Sequence, residues 1–483
     1  MQSFDLLVVG GGINGAAIAR DAAGRGLSVL LVEKDDLAAH TSGASSKLIH
    51  GGLRYLEHYD FRLVREALRE REILLQTAPH IVRPLKFVLP DPPGGRPWWL
   101  IRLGLWTYDL LAGRGSLPRS RSVRRGDKAV RDALRPENFR LATYWDAWVD
   151  DSRLVVLNAL DAAERGAEIA TRTELLAARR EGESWKVELS GGRIVTAGMI
   201  VNAAGPWVAE LLTKRLDLPS RSAVRLIKGS HIVVPRLWQG DHAYILQQAD
   251  GRVVFALPYD EHSLVGTTDV PVERPGEAEI SPEEIDYLCA AANAYFRHAI
   301  APADVVWSYS GVRSLHDDGS ASAKDVSRDY HLERDPGPGA PLLSVFGGKI
   351  TTARALAVEA LEKLEVEGFK FTATSPLPGG AITPGFNLWL AELGRWMPAD
   401  LLHRLATAYG TRLDRLLDGI DSMAGLGRHY GAGLYQAELH YLLDTEFART
   451  ADDVLWRRTK LGLRMTKPER DRLDSEIRRI VQA

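Results

Sequence analysis

The stretch Phe4-Asp5-Leu6-Leu7-Val8-Val9-Gly10-Gly11-Gly12-Ile13-Asn14-Gly15, running on to Glu33, decides how the rest of the chain is arranged. An apolar run leads into Gly10, Gly12 and Gly15 at G-x-G-x-x-G spacing, and Ala16 to Ala23 follow with strong helix formers. Gly26 ends that helix, and Ser28-Val29-Leu30-Leu31-Val32 reads as a strand buried on both faces, closed by Glu33. Gly10 permits a tight turn, Gly12 lets a pyrophosphate approach the backbone, and Gly15 lets helix and strand pack closely. The helix N-terminus attracts the negative charge, and Glu33 is placed to accept hydrogen bonds from a ribose diol. The unit predicts a bound adenine dinucleotide; NAD and FAD use the same cradle, so it does not choose between them.

Around this unit, 483 residues with 45% apolar side chains imply two or three domains with buried cores. Lys plus Arg total 61 against 63 Asp plus Glu, a formal charge of −2, which gives no global reason to expect nucleic acid. The single cysteine, Cys289, excludes an internal disulfide and a cysteine metal cluster and reads as buried filler; no metal is expected. The N-terminus runs straight into the first strand, without signal-peptide features. No run reaches the ~18 apolar residues of a membrane span.

After Glu33, the loop Thr41-Ser42-Gly43-Ala44-Ser45-Ser46-Lys47-Leu48-Ile49-His50 is dense in ligand-holding groups. Asp60 is a candidate cap for a helix whose Leu63, Val64, Ala67, Leu68 and Leu75 recur at helical spacing. Trp98 to Leu111 is aromatic-rich and is trailed by Arg114, Arg119, Arg121, Arg124, Arg125, Lys128 and Arg131; it reads either as a core helix with a solvated loop or as an interfacial membrane anchor. Short strands around Glu181-Gly182-Glu183-Ser184 and Ser190-Gly191-Gly192 predict a β-meander. Met199 to Trp207 and Ser344 to Arg354 each join a strand through small residues to a helix, so Ala204, Gly205 and Gly348 bring the chain back to the dinucleotide. Asp250-Gly251 marks a hairpin between Tyr244-Ile245-Leu246-Gln247 and Val253 to Leu257. From about Leu388 the pattern is helical, with Pro384-Gly385 as a boundary. A discontinuous nucleotide domain with an inserted sheet domain follows from this order.

Seven ordered blocks carry a resemblance over nearly the whole chain: Gly10 to Gly15; Ser45 to Leu56; Trp148-Val149-Asp150-Asp151-Ser152-Arg153-Leu154; Lys228-Gly229-Ser230-His231-Ile232-Val233-Val234-Pro235; Gly266-Thr267-Thr268-Asp269; Tyr309-Ser310-Gly311-Val312-Arg313; and Ser344 to Lys349. With these, the chain resembles the FAD-dependent, quinone-linked glycerol-3-phosphate dehydrogenases. The resemblance implies an α/β fold with a glutathione-reductase-like FAD-binding domain, an inserted mixed β-sheet substrate domain and an all-helical C-terminal cap. The expected division is 1–80 with about 142–225 and 335–370 for FAD, about 81–141 and 226–334 for substrate, and about 385–483 for the cap. It also implies non-covalent FAD, a quinone acceptor, and peripheral attachment to the inner face of the cell membrane on the cytoplasmic side. A homodimer stays open, and no nucleic-acid partner is expected.

The implied reaction oxidises the secondary alcohol of sn-glycerol 3-phosphate to dihydroxyacetone phosphate, with hydride passing to the flavin; a related oxidase would pass the electrons to oxygen. Arg313, Arg328 and Tyr55 are the candidates for the phosphate, because a guanidinium pairs two phosphate oxygens at once. His50, His231, Arg54 and Lys349 are the catalytic candidates, with the general base open between the two histidines and the lysine. The expected FAD contacts are Gly10, Gly12, Ile13, Asn14, Gly15, Glu33, Lys34, Thr41, Ser42, Ser45, Ser46, Lys47, Leu48, His50, Ala204, Gly205, Gly348, Lys349, Ile350 and Thr351.

Overall fold

The computed structural model describes residues 1–91, 97–124, 126–135, 140–317 and 329–482. Its first sheet is built on the glycine unit. The strand Gln2–Val9 pairs in parallel with Val29–Val32 on one side and Ile194–Asn202 on the other, and Glu168–Ala170 and Leu342–Phe346 extend the parallel array. Every residue of Val29–Val32 is buried, as its uninterrupted apolar run requires. The helices Ile13–Gly24, Asp151–Glu164 and Ala353–Lys363 cover one face, contributing Ala16, Ile18, Val155, Leu356 and Ala360 to its core. The predicted meander forms as Leu175–Glu181 and Ser184–Leu189, which return antiparallel onto Ile194–Ala197; they cover the other face with Trp185 and Val187.

Among the described residues the second sheet has ten strands, and it carries the predicted Asp250-Gly251 hairpin between Ala243–Gln247 and Val253–Tyr259. Val224–Pro235 pairs antiparallel with Trp307–His316. One face packs on the helix Pro282–Asn293, where Cys289 is buried among Leu288, Ala292 and Phe296. The opposite face packs on Phe61–Thr77 and Trp98–Ala112 through Val64, Leu68, Ile101, Leu105 and Tyr108.

Strand pairing departs from the expected divisions at two points. Arg140–Val149 belongs to the second sheet, paired along its whole length with Val82–Asp91, although a boundary near 142 assigns it to the nucleotide part. His331–Arg334 lies in the first sheet, against Leu342–Phe346. Both are strands at crossings between sheets, where local pattern carries no information about the pairing partner. The C-terminal residues form a separate core of Leu405, Leu413, Leu442, Val454 and Leu473. It is helical apart from a short hairpin, His429–Gly431 with Leu434–Tyr435. Pro384 starts the first of its helices, with Thr383 as a cap accepting from the Phe386 N–H. Asp60 does precede Phe61–Thr77, but its side chain makes no capping bond, whereas Asp150 accepts from the Arg153 N–H and caps Asp151–Glu164.

Candidate active site

Both sheets present loops to one cavity of about 1710 Å³. Its floor is the glycine turn. Gly10 adopts φ +116° and lies so close to Ala203 that a side chain would overlap the Ala203 carbonyl; a Cβ on Gly15 would overlap the Gly10 carbonyl oxygen. A Cβ on Gly12 would meet only Ser42 Oγ, at 3.1 Å, so its backbone is open to a ligand. Gly15 thus serves helix–strand packing and does not line the cavity, as its place in the fingerprint requires.

Glu33 accepts from the Gly11 N–H at 2.6 Å and the Asp35 N–H at 2.9 Å, which fixes its carboxylate at the end of its strand. Burial pushes that carboxyl up, and the two backbone donors oppose the shift. Beside it, Lys34 Nζ sits 3.8 Å from the Trp207 ring centroid and His40 packs 4.7 Å from the same ring. Ser42 Oγ accepts from the Ile13 N–H, and Asn14 Nδ2 donates to the Gly347 carbonyl, so the glycine turn, the Thr41–His50 loop and the Gly347–Gly348 turn are tied together.

Twenty-one of the expected site residues line this cavity: Gly10, Gly12, Ile13, Asn14, Glu33, Lys34, Thr41, Ser42, Ser45, Ser46, Leu48, His50, Tyr55, Ala204, Gly205, His231, Arg313, Gly348, Lys349, Ile350 and Thr351. Lys47 does not. Its ammonium is buried against Asp151, 2.8 and 2.9 Å from the two carboxylate oxygens, and Asp151 in turn accepts from the N–H and hydroxyl of Ser45. Lys47 therefore shapes the loop from behind. Arg328 and the Arg54 side chain lie outside the described residues.

At the substrate-sheet wall, Arg313 Nη2 donates to the Thr268 carbonyl at 3.1 Å and to Asp269 Oδ1 at 2.5 Å. His231 is 3% exposed, stacked on Tyr309 at 4.8 Å, with Nε2 2.9 Å from Ser46 Oγ. Burial, with the Lys47 and Arg313 cations nearby, pulls the imidazole down to about 3, so it stays neutral. His50 lies half-buried in the cavity, 6.3 Å from the Phe255 ring. Lys349 Nζ lies 3.9 Å from the Tyr55 ring centroid and is buried with no hydrogen-bond acceptor among the described residues.

Trp207, Asp269 and Arg252 also line the cavity, and sequence reading gave none of them a role. Trp207 and Asp269 sit inside quoted blocks, but a hydrophobic ring after a proline and an aspartate after two threonines announce no partner. Arg252 stacks 3.8 Å over Tyr287 and bonds Asp250, in a hairpin turn whose placement depends on the whole sheet.

Residues 5–354 match the family described as FAD dependent oxidoreductase, and 370–480 match the C-terminal domain of alpha-glycerophosphate oxidase. The chain belongs to the FAD dependent oxidoreductase family, and its cofactor is FAD. Within that family it is 51% identical to a glycerol-3-phosphate dehydrogenase of Pseudomonas aeruginosa, over 98% of this chain and 94% of the relative. It is also 48% identical to a D-erythritol 1-phosphate dehydrogenase of Brucella abortus, over 97% and 96% of the two chains. The X-ray structure of the glycerol-3-phosphate dehydrogenase from Bacillus halodurans complexed with FAD superposes with a TM-score of 0.72 at 27% identity, covering 99% of this chain and 95% of that one. These matches bear out the resemblance carried by the seven blocks. The cavity suits the cofactor on its own terms: an open Gly12 backbone before a helix N-terminus, a fixed acidic acceptor at Glu33, and the buried Lys349 ammonium, which has no acceptor among the described residues. Among the described residues no helix is long and apolar enough to cross a membrane.

Proposed function

We infer that the protein oxidises the secondary alcohol of sn-glycerol 3-phosphate to dihydroxyacetone phosphate and passes the electrons to a membrane quinone. The observation that carries this reading is that Arg313, His50, His231 and Lys349 line one cavity together with the Gly347–Gly348 turn, in a chain 51% identical to a protein named for that reaction. Non-covalently bound FAD supplies the hydride acceptor. The protein's own groups do the rest. Arg313 grips the phosphate, its plane held by Thr268 and Asp269, with Arg328 and Tyr55 as further phosphate contacts. A general base works best with a pKa near operating pH, and at about 3 His231 is too weak a base at neutrality, so His50 removes the hydroxyl proton and His231 orients Ser46. The Lys349 ammonium puts positive charge where negative charge develops during transfer.

The same reading places the protein on the inner face of the membrane. Trp98–Ala112 has two apolar faces: Ile101, Leu105 and Tyr108 point into the core, whereas Trp99, Leu103, Trp106 and Leu110 are 47–67% exposed. The exposed set recurs at helical spacing, and Arg114, Arg119, Arg121, Arg124 and Lys128 follow it, also exposed. Leu100, Ile101 and Gly104 of this helix line the cavity, which gives a quinone an apolar approach from the membrane side. The test is turnover with glycerol 3-phosphate under air, following reduction of a soluble quinone and release of peroxide together. Quinone reduction without matching peroxide supports a dehydrogenase; stoichiometric peroxide, unaffected by quinone, would make it an oxidase.

A further inference from the structure

The C-terminal domain meets the back of the cofactor loops at the turn Asp453–Arg458, with Lys460 just beyond it. Asp36 lies between Glu33, the ribose acceptor, and Ala38, whose N–H donates to the Gly11 carbonyl in the glycine turn. Its carboxylate is 2% exposed, and the side-chain partners it has among the described residues all come from this turn: Arg458 Nη1 and Nη2 at 2.7 and 2.8 Å, and Arg457 Nε at 2.6 Å. The same loop is held a second time through Asp453, which pairs with Arg172 at 2.7 Å while the Arg172 N–H donates to the Asp35 carbonyl. On the other side of the turn, Lys460 Nζ bonds Ser152 Oγ at 3.0 Å and lies 3.8 Å from Asp151, the residue that holds Ser45 and Lys47 in the flavin-side loop.

A buried carboxylate is tolerated only when it is paired, and removing one partner leaves an uncompensated charge that the surrounding chain must move to relieve. Here that chain is the pair of loops that carry Glu33 and Ser45. Two domains could dock through apolar surface alone; placing the charges of one domain on the cofactor loops of the other ties the geometry of those loops to docking. We propose that Arg458 and Lys460 are positioning residues for FAD: the C-terminal domain braces the Glu33–His40 and Thr41–His50 loops from behind and thereby sets how tightly the dinucleotide is held.

The test uses the full chain, stripped of flavin and titrated with FAD by flavin fluorescence, together with thermal unfolding of the flavin-free and flavin-saturated protein. Arg458→Gln and Lys460→Met should each raise the Kd for FAD at least tenfold, and the rise in Tm on adding a fixed FAD concentration should shrink, because stabilisation by a ligand follows its Kd. Arg458→Lys should recover part of the affinity. A Kd within twofold of the wild type in the folded variants, or equal loss of Tm with and without flavin, would overturn the proposal and leave the turn as a docking contact alone. Should Arg458→Gln and Lys460→Met yield no folded protein, Arg458→Lys decides by the same criteria, since it keeps a charge beside Asp36 but loses the two-point grip: a weaker FAD Kd supports the brace and an unchanged one overturns it.

Discussion

Replacing Arg313 with Ala should separate phosphate binding from every other use of the cavity. Its guanidinium, 32% exposed at the side chain, is held by Asp269 and the Thr268 carbonyl. Loss of a hydrogen bond to a charged group costs about 1.5 to 3 kcal/mol. The variant also leaves Asp269, 29% exposed, without its cation and facing a dianion. Two like charges 4 Å apart near a protein surface repel by about 4 kcal/mol, which exposure and salt reduce to about 1 to 2 kcal/mol. Together these predict a loss of about 2.5 to 5 kcal/mol in kcat/KM for glycerol 3-phosphate, roughly two to four powers of ten. Part of that should fall on kcat, because binding energy from the unreactive phosphate orients the reacting carbon. Glycerol, which lacks the phosphate, should be a poor substrate of the wild type and change little in the variant. Adding Asp269→Asn to Arg313→Ala should recover up to tenfold, and Arg313→Lys should recover part through its charge without the two-point grip. Steady-state rates against a soluble quinone, for both substrates and all four proteins, measure this cycle. Equal fractional losses on glycerol and glycerol 3-phosphate would refute the assignment, because Arg313 would then support the fold or the flavin.

Gly15→Ala should release FAD and destabilise the protein by several kcal/mol, since its Cβ would overlap the Gly10 carbonyl; flavin recovered after gel filtration and the unfolding midpoint report both. Acid should weaken the fold as pH falls below about 6.5. His80, His231 and His242 are 8%, 3% and 6% exposed and are pulled down to about 3, 3 and 4, chiefly by burial. Depressed histidines bind more protons when unfolded, so their contribution is full above the unfolded pKa and is lost as pH drops towards the folded one, by roughly 2 kcal/mol each at pH 5. Denaturant unfolding at pH 7 and 5 measures it, and His80→Gln should flatten the slope. On the membrane side, Leu103→Ser with Trp106→Ser should weaken binding to anionic vesicles, and Arg121→Glu with Arg124→Glu should cost on the order of 1 kcal/mol per charge; unchanged co-sedimentation in both variants would remove this helix from the membrane contact.

The glycine unit was legible because its parts are close in sequence and each glycine answers a local steric demand, as Gly10 and Gly15 do. Side chains whose partners are distant were not. Lys47 reads as a ligand in a polar loop until Asp151, 104 positions on, takes its charge. Arg457 and Arg458 are adjacent basic residues in a helical C-terminal stretch, yet both turn inward to Asp36, more than 420 positions back. Arg313 was found as a cavity residue, but its partner Asp269 was not, because pairing across a sheet depends on register rather than on spacing. The aromatic helix Trp98–Ala112 left a core and an interfacial reading open; the fold packs one face into the core and leaves the other uncovered, and the membrane proposal rests on that uncovered face.

The central claim is that this cavity holds FAD against a polyol phosphate, and anaerobic reduction of the bound flavin tests it most directly. Glycerol 3-phosphate and D-erythritol 1-phosphate are mixed separately with the oxidised protein, with glycerol as the phosphate-free control, and bleaching of the flavin absorption is timed. Complete bleaching by glycerol 3-phosphate, orders of magnitude faster than by glycerol, is the predicted result. Faster bleaching by D-erythritol 1-phosphate would keep the site and change the substrate, and a flavin that neither phosphate reduces would contradict the account.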